Sequence, residues 1–221
     1  MKGLKELLLP SAPLLVLAPH PDDEVLGCAR LMQQAAAKGC PVVIIWLTDG
    51  SASHGLLEAG QRIALISRRR AEAAQGVRAL GVTPIATYHL GYPDGGLKEH
   101  LAKAQADVEH ICLLHAVATV VVTDVGDSHP DHRAAHALAM GLKCPKQLLS
   151  YPVSARFEGA DYSPPVEAMR LDGLTNDAKR SALLEHRSQM EPTAICPMTL
   201  ATIDRFCADP EYFIRLERKA P

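Results

Sequence analysis

The sequence predicts an α/β fold with a mainly parallel sheet in a Rossmann-like, three-layer arrangement. Short apolar, β-branched runs alternate along the chain with helix-length segments, which is the pattern of repeated βαβ units. Such units have right-handed crossovers, and they place parallel strands in one sheet with helices on its faces. We therefore expect the strand order 3-2-1-4-5, in which the first and fourth strands are neighbours.

The individual elements follow from these runs and segments. The predicted strands are residues 14–18, 42–47, 85–90, 119–123 and 148–151. The predicted helices are residues 26–38, 63–80, 97–116, 132–142 and 176–189. Three helices should end at Gly39, Gly81 and Gly141, because glycine commonly follows the last turn of a helix. Trp46 lies inside the second apolar run, and we expect it in the core.

The bulk composition indicates a single globular domain over residues 1–221, with 48% hydrophobic and 22% charged residues. The 23 basic and 25 acidic side chains give a formal charge of −2, which is too balanced to indicate a nucleic-acid-binding surface. No segment has the ~18 uninterrupted apolar residues that a membrane span needs. We expect neither a nucleic-acid partner nor a membrane span, and a homo-oligomer remains open.

Six cysteines, at positions 28, 40, 112, 144, 196 and 207, contain no CxxC pair. Scattered cysteines of this kind are typical of small buried side chains in a reducing compartment, so we expect a cytoplasmic protein without a cysteine zinc site. Residues 2–18 superficially resemble a secretory signal, but Pro10 and Pro13 interrupt the apolar stretch. Cleavage at its end would also disrupt the motif that begins at His20.

The motif His20-Pro21-Asp22-Asp23-Glu24 directly follows the first predicted strand. Three carboxylates beside an apolar strand end would repel one another unless a cation or a bound proton balanced them. A metal ion is the simplest balance. For Glu24 we favour the role of a first-turn acid that interacts with the helix dipole, with support of the site as the alternative.

A second cluster, His129-Pro130-Asp131-His132, follows the fourth predicted strand. Neutral imidazole and carboxylate oxygen suit Zn²⁺, and three protein ligands with an open fourth position mark a catalytic site. Because the first and fourth strands are neighbours, the two motifs should face each other across one crevice and share a metal. The spacing of His136 from His132 also suits ligation, but we expect His136 to be packed or to support a ligand.

Together with further blocks, the two motifs resemble the LmbE-like, or PIG-L, family of zinc-dependent N-acetylglucosaminyl deacetylases. A lone HPDD would be a weak match, but several blocks in the right order extend the resemblance along most of the chain. The further blocks are Leu47-Thr48-Asp49-Gly50, Arg69-Arg70-Ala71-Glu72 leading to Leu80-Gly81-Val82, Gly91-Tyr92-Pro93-Asp94-Gly95, and Lys179 with His186-Arg187-Ser188-Gln189.

The resemblance implies a role for each residue of the two motifs. The implied metal ligands are His20, Asp23 and His132. The metal would be Zn²⁺, or another divalent ion such as Fe²⁺. Asp22 matches the general base. His129 matches the histidine that stabilises or protonates the tetrahedral intermediate, and Asp131 the residue that orients it. A hydrogen bond from His129 to Asp131 should raise the pKa of His129 and keep it cationic.

Substrate contacts are implied at shorter motifs. Arg69 and Asp94 fall where members of the family hold sugar hydroxyls. Arg156 follows the fifth strand at the same sheet edge and is a further candidate, with a solvated arginine as the alternative. Residues 153–167 should encode substrate choice, and residues 49–60 form either a flap over the crevice or an ordinary exposed loop.

The expected protein is a metal-dependent N-deacetylase, a hydrolase of linear amide C–N bonds. Its substrate would be a small-molecule N-acetylated amino-sugar conjugate, from which it releases acetate and a free amine. One alternative keeps the metal and the base but cleaves a larger amide, as related amidases do with thiol-sugar conjugates. The other is a non-catalytic metal- or glycan-binding module.

Overall fold

A seven-stranded sheet with the order β3-β2-β1-β4-β5-β7-β6 forms the centre of the computed structural model. The structure describes residues 12–154, 164–172, 176–195, 197–208 and 210–217. Strands β1 to β5 are parallel, whereas β7 runs antiparallel to both β5 and β6. The strands are β1 (Leu14–Ala18), β2 (Val42–Thr48), β3 (Ala86–Tyr92), β4 (Thr119–Thr123), β5 (Gln147–Tyr151), β6 (Met169–Leu171) and β7 (Glu211–Arg215).

The predicted fold class is confirmed, and so is the order of the first five strands. The sheet extends further than predicted, because β7 and β6 continue it beyond β5. The sequence signal of these two strands is weak: β6 has only three residues, and β7 carries charged residues at both of its ends.

The described helices flank the sheet, and none of them is both long and apolar enough to cross a membrane. All five predicted helices differ in their bounds by one or more residues, and two of them also include a 3-10 turn. The segment 97–116 begins with a 3-10 turn, and the segment 176–189 ends as a helix at Leu184 and continues as a second 3-10 turn at Arg187–Met190. The helices are α1 (Asp23–Ala37), α2 (Ala59–Ala79), α3 (Leu101–Leu114), α4 (Pro130–Gly141), α5 (Asn176–Leu184) and α6 (Leu200–Ala208).

The expected glycine ends are found at two of the three positions. Gly39 and Gly81 have φ values of 71° and 73°, the left-handed conformation that glycine adopts without strain. Gly141 is instead the last residue of α4, and the extended Leu142 follows it. A side chain at Gly141 would lie 2.5 Å from Gln105 Oε1 of α3, so the end of the Gln105 side chain would have to move.

Two apolar layers cover the two faces of the sheet. Strand β1 is fully buried, and its successive side chains point to opposite faces. Leu14 and Val16 pack in the cluster that includes α1, α5 and α6, whereas Leu15 and Leu17 pack in the cluster that includes α3 and α4. Burial on both faces explains why β1 reads as a continuous apolar run.

A buried ion pair ties α1 to the C-terminal part of the fold. Lys179 Nζ lies 2.8 Å from Glu211 Oε1 and donates a hydrogen bond to the Leu26 carbonyl at 2.7 Å. Glu211 also accepts hydrogen bonds from the backbone amides of Arg30 and Leu31. The pair thus engages the Leu26 carbonyl and the Arg30 amide, which a regular helix joins to each other. Backbone groups of α1 are therefore hydrogen-bonded directly to side chains of α5 and β7.

Candidate active site

The two histidine-aspartate motifs meet at the carboxyl ends of β1 and β4. These strands are hydrogen-bonded neighbours, with Leu17 paired with Val122. A cavity of about 390 Å³ opens at this edge, which is the crevice where open α/β sheets bind ligands. The residues that line it are His20, Asp22, Asp23, Leu26, Ala52, Ser53, Arg69, Asp94, Gly95, Ser128, His129, His132, Val153, Ser154, Gln189 and Ile195.

Each motif also forms the start of a helix. Asp22 is the residue that precedes α1, and Asp23 is in its first turn. His129 precedes α4, whose first residue is Pro130, a position where proline loses no helical hydrogen bond. The strand-to-helix turns therefore bring both sets of side chains to the cavity.

Three side-chain atoms form a nearly equilateral triangle at the base of the cavity. His20 Nδ1 lies 3.2 Å from Asp23 Oδ2 and 3.2 Å from His132 Nε2, and His132 Nε2 lies 3.3 Å from Asp23 Oδ2. Zinc bonds of about 2.0–2.1 Å in tetrahedral geometry put the ligand atoms roughly 3.3 Å apart. The triangle thus fits three ligands of one tetrahedral ion, with the fourth position free for a water or a substrate.

The charges around this triangle also fit a cation. Burial lowers the pKa of His132, but the carboxylates of Asp23 and Asp127 outweigh it and raise the pKa to about 9. In the same way, hydrogen bonds to Asp131, Asp23 and Asp94 outweigh burial and raise the pKa of His20 well above its ordinary value. Without a metal, protons on the imidazoles balance the carboxylates. A divalent cation would supply that positive charge instead.

His132 has a buried partner that the sequence did not single out. Asp127 Oδ2 lies 2.8 Å from His132 Nδ1, and the carboxylate also accepts a hydrogen bond from the Val153 amide. A carboxylate on the far nitrogen fixes the tautomer of a ligating histidine and raises its basicity. An aspartate five residues before His132, in the short loop between the buried strand β4 and α4, is the signal that could have revealed it.

Asp131 contacts a different histidine from the one expected. Its Oδ2 lies 3.3 Å from His20 Nε2, and the amides of Gly95 and Leu97 donate to the same carboxylate. Asp94 Oδ1 also lies 3.2 Å from His20 Nε2. The expected side-chain bond between Asp131 and His129 is absent, because the loop after β3 holds the carboxylate towards His20.

His129 also differs electrostatically from the expectation. Its Nδ1 accepts a hydrogen bond from the Asp131 backbone amide at 3.2 Å. Burial, together with the positive charges of His20 and His132, lowers its pKa to about 4. The prediction of a raised pKa and a cationic His129 is therefore wrong. A neutral ring whose Nδ1 accepts a hydrogen bond carries its proton on Nε2.

Asp22 and Arg69 form an ion pair in the cavity wall. Arg69 Nη2 lies 3.0 Å from Asp22 Oδ2, and Nη1 donates to the Gly50 carbonyl at 2.7 Å. Gly50 has a φ of 67°, and a side chain there would lie 2.7 Å from Arg69 Nη1. Glycine at this position therefore leaves room for the guanidinium group. Arg69 lines the cavity as expected, but part of its hydrogen-bonding capacity is used on Asp22.

Glu24, in the first motif, and His136, four residues after the second, make structural contacts. Glu24 is fully buried and accepts a hydrogen bond from Trp46 Nε1 at 2.8 Å, and burial raises its pKa to about 8. Glu24 does lie in the first turn of α1, as expected, but its raised pKa weakens a charge interaction with the helix dipole. His136 is packed, as expected: its Nδ1 donates to the Thr123 carbonyl at 3.2 Å.

The two loops that the sequence linked to substrate binding reach the cavity in part. Ala52 and Ser53 line it, and the Ala52 amide donates to Asp94 Oδ2 at 2.9 Å. Val153 and Ser154 line it from the other loop. Arg156, the further substrate-binding candidate, lies outside the described residues.

Comparison with known proteins gives one family match, in which residues 15–143 match the family described as PIG-L: GlcNAc-PI de-N-acetylase. A 1D-myo-inositol 2-acetamido-2-deoxy-alpha-D-glucopyranoside deacetylase from Nocardioides sp. is 31% identical over 158 residues, which cover 57% of this chain and 52% of that protein. The chain thus spans about half the length of such relatives. YaiS of Escherichia coli K12, described as an uncharacterized deacetylase, is 26% identical over 85% of this chain and 99% of its own length.

Among solved structures, the N,N'-diacetylchitobiose deacetylase from Pyrococcus horikoshii superposes with a TM-score of 0.74. It is 22% identical, and the match covers 97% of this chain and 87% of that one, so it supports the fold. The family match covers more than half of the 221 residues, including both histidine-aspartate motifs. The predicted resemblance is thereby confirmed: this chain belongs to the PIG-L family.

Proposed function

We propose that this protein is a zinc-dependent N-deacetylase that hydrolyses the acetamide of an N-acetylated amino-sugar conjugate. The observation that carries the proposal is the triangle of His20 Nδ1, Asp23 Oδ2 and His132 Nε2, with sides of 3.2–3.3 Å, beside the carboxylate of Asp22. Membership of the PIG-L family and the deacetylases among its relatives support the choice of reaction.

An amide is a poor electrophile, so its hydrolysis needs an activated water, stabilisation of the oxyanion and a proton for the departing amine. A divalent cation held by His20, Asp23 and His132 would lower the pKa of water towards ~7 and polarise the acetyl carbonyl. Asp22 accepts the proton of the attacking water, a form of catalysis that contributes ~10² to 10⁴ in rate. Arg69 keeps its carboxylate at the cavity wall.

His129 stabilises the oxyanion as a neutral hydrogen-bond donor. Its Nδ1 accepts the Asp131 amide, so Nε2–H is the group that can donate to the developing charge. Once Nε2–H of His129 donates to the oxyanion, it is not available to protonate the leaving nitrogen. We therefore assign that proton to Asp22, which returns the one it accepted from water.

The experiment that tests the proposal measures acetate released by the zinc-loaded protein from a panel of N-acetylglucosamine conjugates. Wild-type protein should release acetate, and Asp22→Asn should reduce kcat by about 10² to 10⁴ while zinc remains bound. The zinc content of both proteins is measured by atomic absorption. A fully active Asp22→Asn variant would contradict the assignment of the base. Zinc-loaded wild type that releases no acetate from any conjugate would favour an amidase of larger amides or a binding module.

A further inference from the structure

Gln189 lines the cavity but takes no part in the steps described above. It lies in the 3-10 turn Arg187–Met190, and it is 6% exposed. Its backbone N–H donates to the His186 carbonyl at 3.0 Å, and its backbone carbonyl accepts from the Met198 amide at 2.6 Å. The backbone is thus held on both sides, and the side chain starts from a fixed place in the cavity wall.

The hydroxyl of Ser188 is committed as a donor to Glu72. Ser188 Oγ lies 2.5 Å from Glu72 Oε2, and the Ser188 amide donates to Glu72 Oε1 at 2.9 Å. Arg68 Nε donates to the same carboxylate at 2.9 Å. A carboxylate surrounded by donors accepts from each of them. The hydroxyl proton of Ser188 therefore points to Glu72, and only the lone pairs of Oγ face Gln189.

Ser53 presents its oxygen to Gln189 in the same way. Its Oγ lies 3.3 Å from the Gly50 carbonyl and 3.0 Å from His54 Nδ1, and either can accept its proton. Gln189 Nε2 lies 3.0 Å from Ser188 Oγ and 3.4 Å from Ser53 Oγ. Both serine oxygens accept, so the amide nitrogen must face them.

The two serine oxygens use both protons of the Gln189 side-chain amide nitrogen. The side-chain oxygen, Oε1, is left as an acceptor. In the described part of the chain no donor approaches Oε1. An acceptor fixed in a cavity and left unpaired is suited to a hydroxyl donor of a ligand, because a site built around such a pair rejects analogues that lack the hydroxyl.

We propose that Gln189 is a specificity-determining residue whose Oε1 accepts a hydrogen bond from one ring hydroxyl of the amino-sugar substrate. The inference rests on the proposed function, since it takes the substrate to be an N-acetylated amino sugar. Glu72, Ser188 and Ser53 act through Gln189 as positioning residues, because they determine which end of the amide faces the sugar.

The test is a thermodynamic cycle between the side chain and the substrate hydroxyls. The most active conjugate of the acetate screen is compared with its 3-deoxy, 4-deoxy and 6-deoxy sugar analogues, in wild type and in Gln189→Met. Wild type should lose roughly tenfold in kcat/KM on one analogue. Gln189→Met should lose less than about twofold on that same analogue, because the acceptor is already gone.

Two variants and a second readout support the cycle. Gln105→Met is the matched control, because Gln105 Nε2 bonds the Gly141 carbonyl outside the cavity, and it should keep the tenfold discrimination. Ser188→Ala keeps Gln189 but releases its amide, so it should give intermediate discrimination even if Gln189→Met does not fold. The same cycle is measured as Kd of N-acetylglucosamine and its three deoxy forms for the metal-free protein, by titration calorimetry.

The outcomes separate the two proposals. Equal losses in wild type and Gln189→Met on every analogue, in both kcat/KM and Kd, overturn the role of Gln189. If wild type discriminates in binding but releases no acetate, the proposed function fails and the role of Gln189 stands. If wild type releases acetate but wild type and Gln189→Met lose equally on every analogue, the proposed function stands and the role of Gln189 fails.

Discussion

Asp127 Oδ2 lies 2.8 Å from His132 Nδ1, on the opposite side of the ring from the nitrogen that faces His20 and Asp23. Both Asp127 and His132 are buried, so this contact is shielded from solvent. It orients the ring and keeps its proton on Nδ1, which leaves the lone pair of Nε2 for a metal.

Replacing this carboxylate should weaken metal binding without removing a ligand. Asp127→Asn keeps an oxygen for His132 Nδ1 but removes the negative charge, and we expect zinc affinity to fall by about 10- to 100-fold. Competition with a chromophoric chelator measures this change. Asp124→Asn, in the same loop but bonded to Ser150, is the control and should bind zinc as wild type does. Equal affinities of Asp127→Asn and the control would contradict the role of Asp127.

The ion pair between Arg69 and Asp22 leads to a prediction about kinetics. Arg69→Lys keeps the charge but cannot contact both Asp22 and the Gly50 carbonyl with a planar fork. We expect kcat to fall by roughly 10- to 100-fold, because misplacement of a catalytic group by about 1 Å has effects of that size. Steady-state kinetics with the matched control Arg70→Lys, at an exposed position, measures it. A rise in KM alone would instead indicate that Arg69 holds the sugar.

The buried pair of Lys179 and Glu211 leads to a prediction about stability. Lys179→Met leaves the Glu211 carboxylate buried without its ionic partner, and we expect the free energy of unfolding to fall by about 3–5 kcal/mol. Urea unfolding of the metal-free protein measures the change. Arg180→Met breaks only an exposed pair with Asp204, and it should cost less than about 1 kcal/mol. Similar losses in the two variants would contradict this account.

His89 should make the stability depend on pH. Burial, together with the charge of Arg70, lowers its pKa to about 4. Its ring stacks on that of Trp46, with the two ring centroids 4.3 Å apart. The unfolded chain, with a histidine pKa of about 6.5, therefore binds a proton first as the pH falls. The contribution of His89 is fully present above about pH 6.5 and is lost towards pH 4.

The variant that checks this dependence is His89→Phe, which keeps the ring stack and removes the titration. Between pH 7 and pH 5, wild type should lose about 1–2 kcal/mol more stability than the variant does. Urea unfolding at a series of pH values measures the two slopes. If the stability of wild type and of His89→Phe falls equally with pH, the assignment of this pH dependence to His89 is contradicted.

The strands that position the site could be predicted from the sequence because they are buried on both faces. Strand β1, for example, is apolar at all five positions. Strand β7 could not be predicted, because its first residue is the acid Glu211. Its carboxylate can be buried because Lys179 and two amides of α1 bind it. Nothing local to residues 211–215 indicates that partner.

The facing of the two motifs could also be predicted, since it depends only on the adjacency of β1 and β4. The partner of the Asp131 side chain could not be predicted from the sequence. Two histidines lie near that carboxylate, and the choice of His20 depends on the path of the loop after β3, which brings the amides of Gly95 and Leu97 to it.

The link between Glu211 and α1 has a consequence for how the protein is made. On the ribosome, His20, Asp23 and His132 all emerge well before Glu211 does. Until that residue arrives, the helix that begins with Asp23 lacks the Glu211 carboxylate that accepts hydrogen bonds from its Arg30 and Leu31 amides. A nascent chain therefore holds every ligand of the proposed metal site before it holds the contacts that complete the helix supporting one of them.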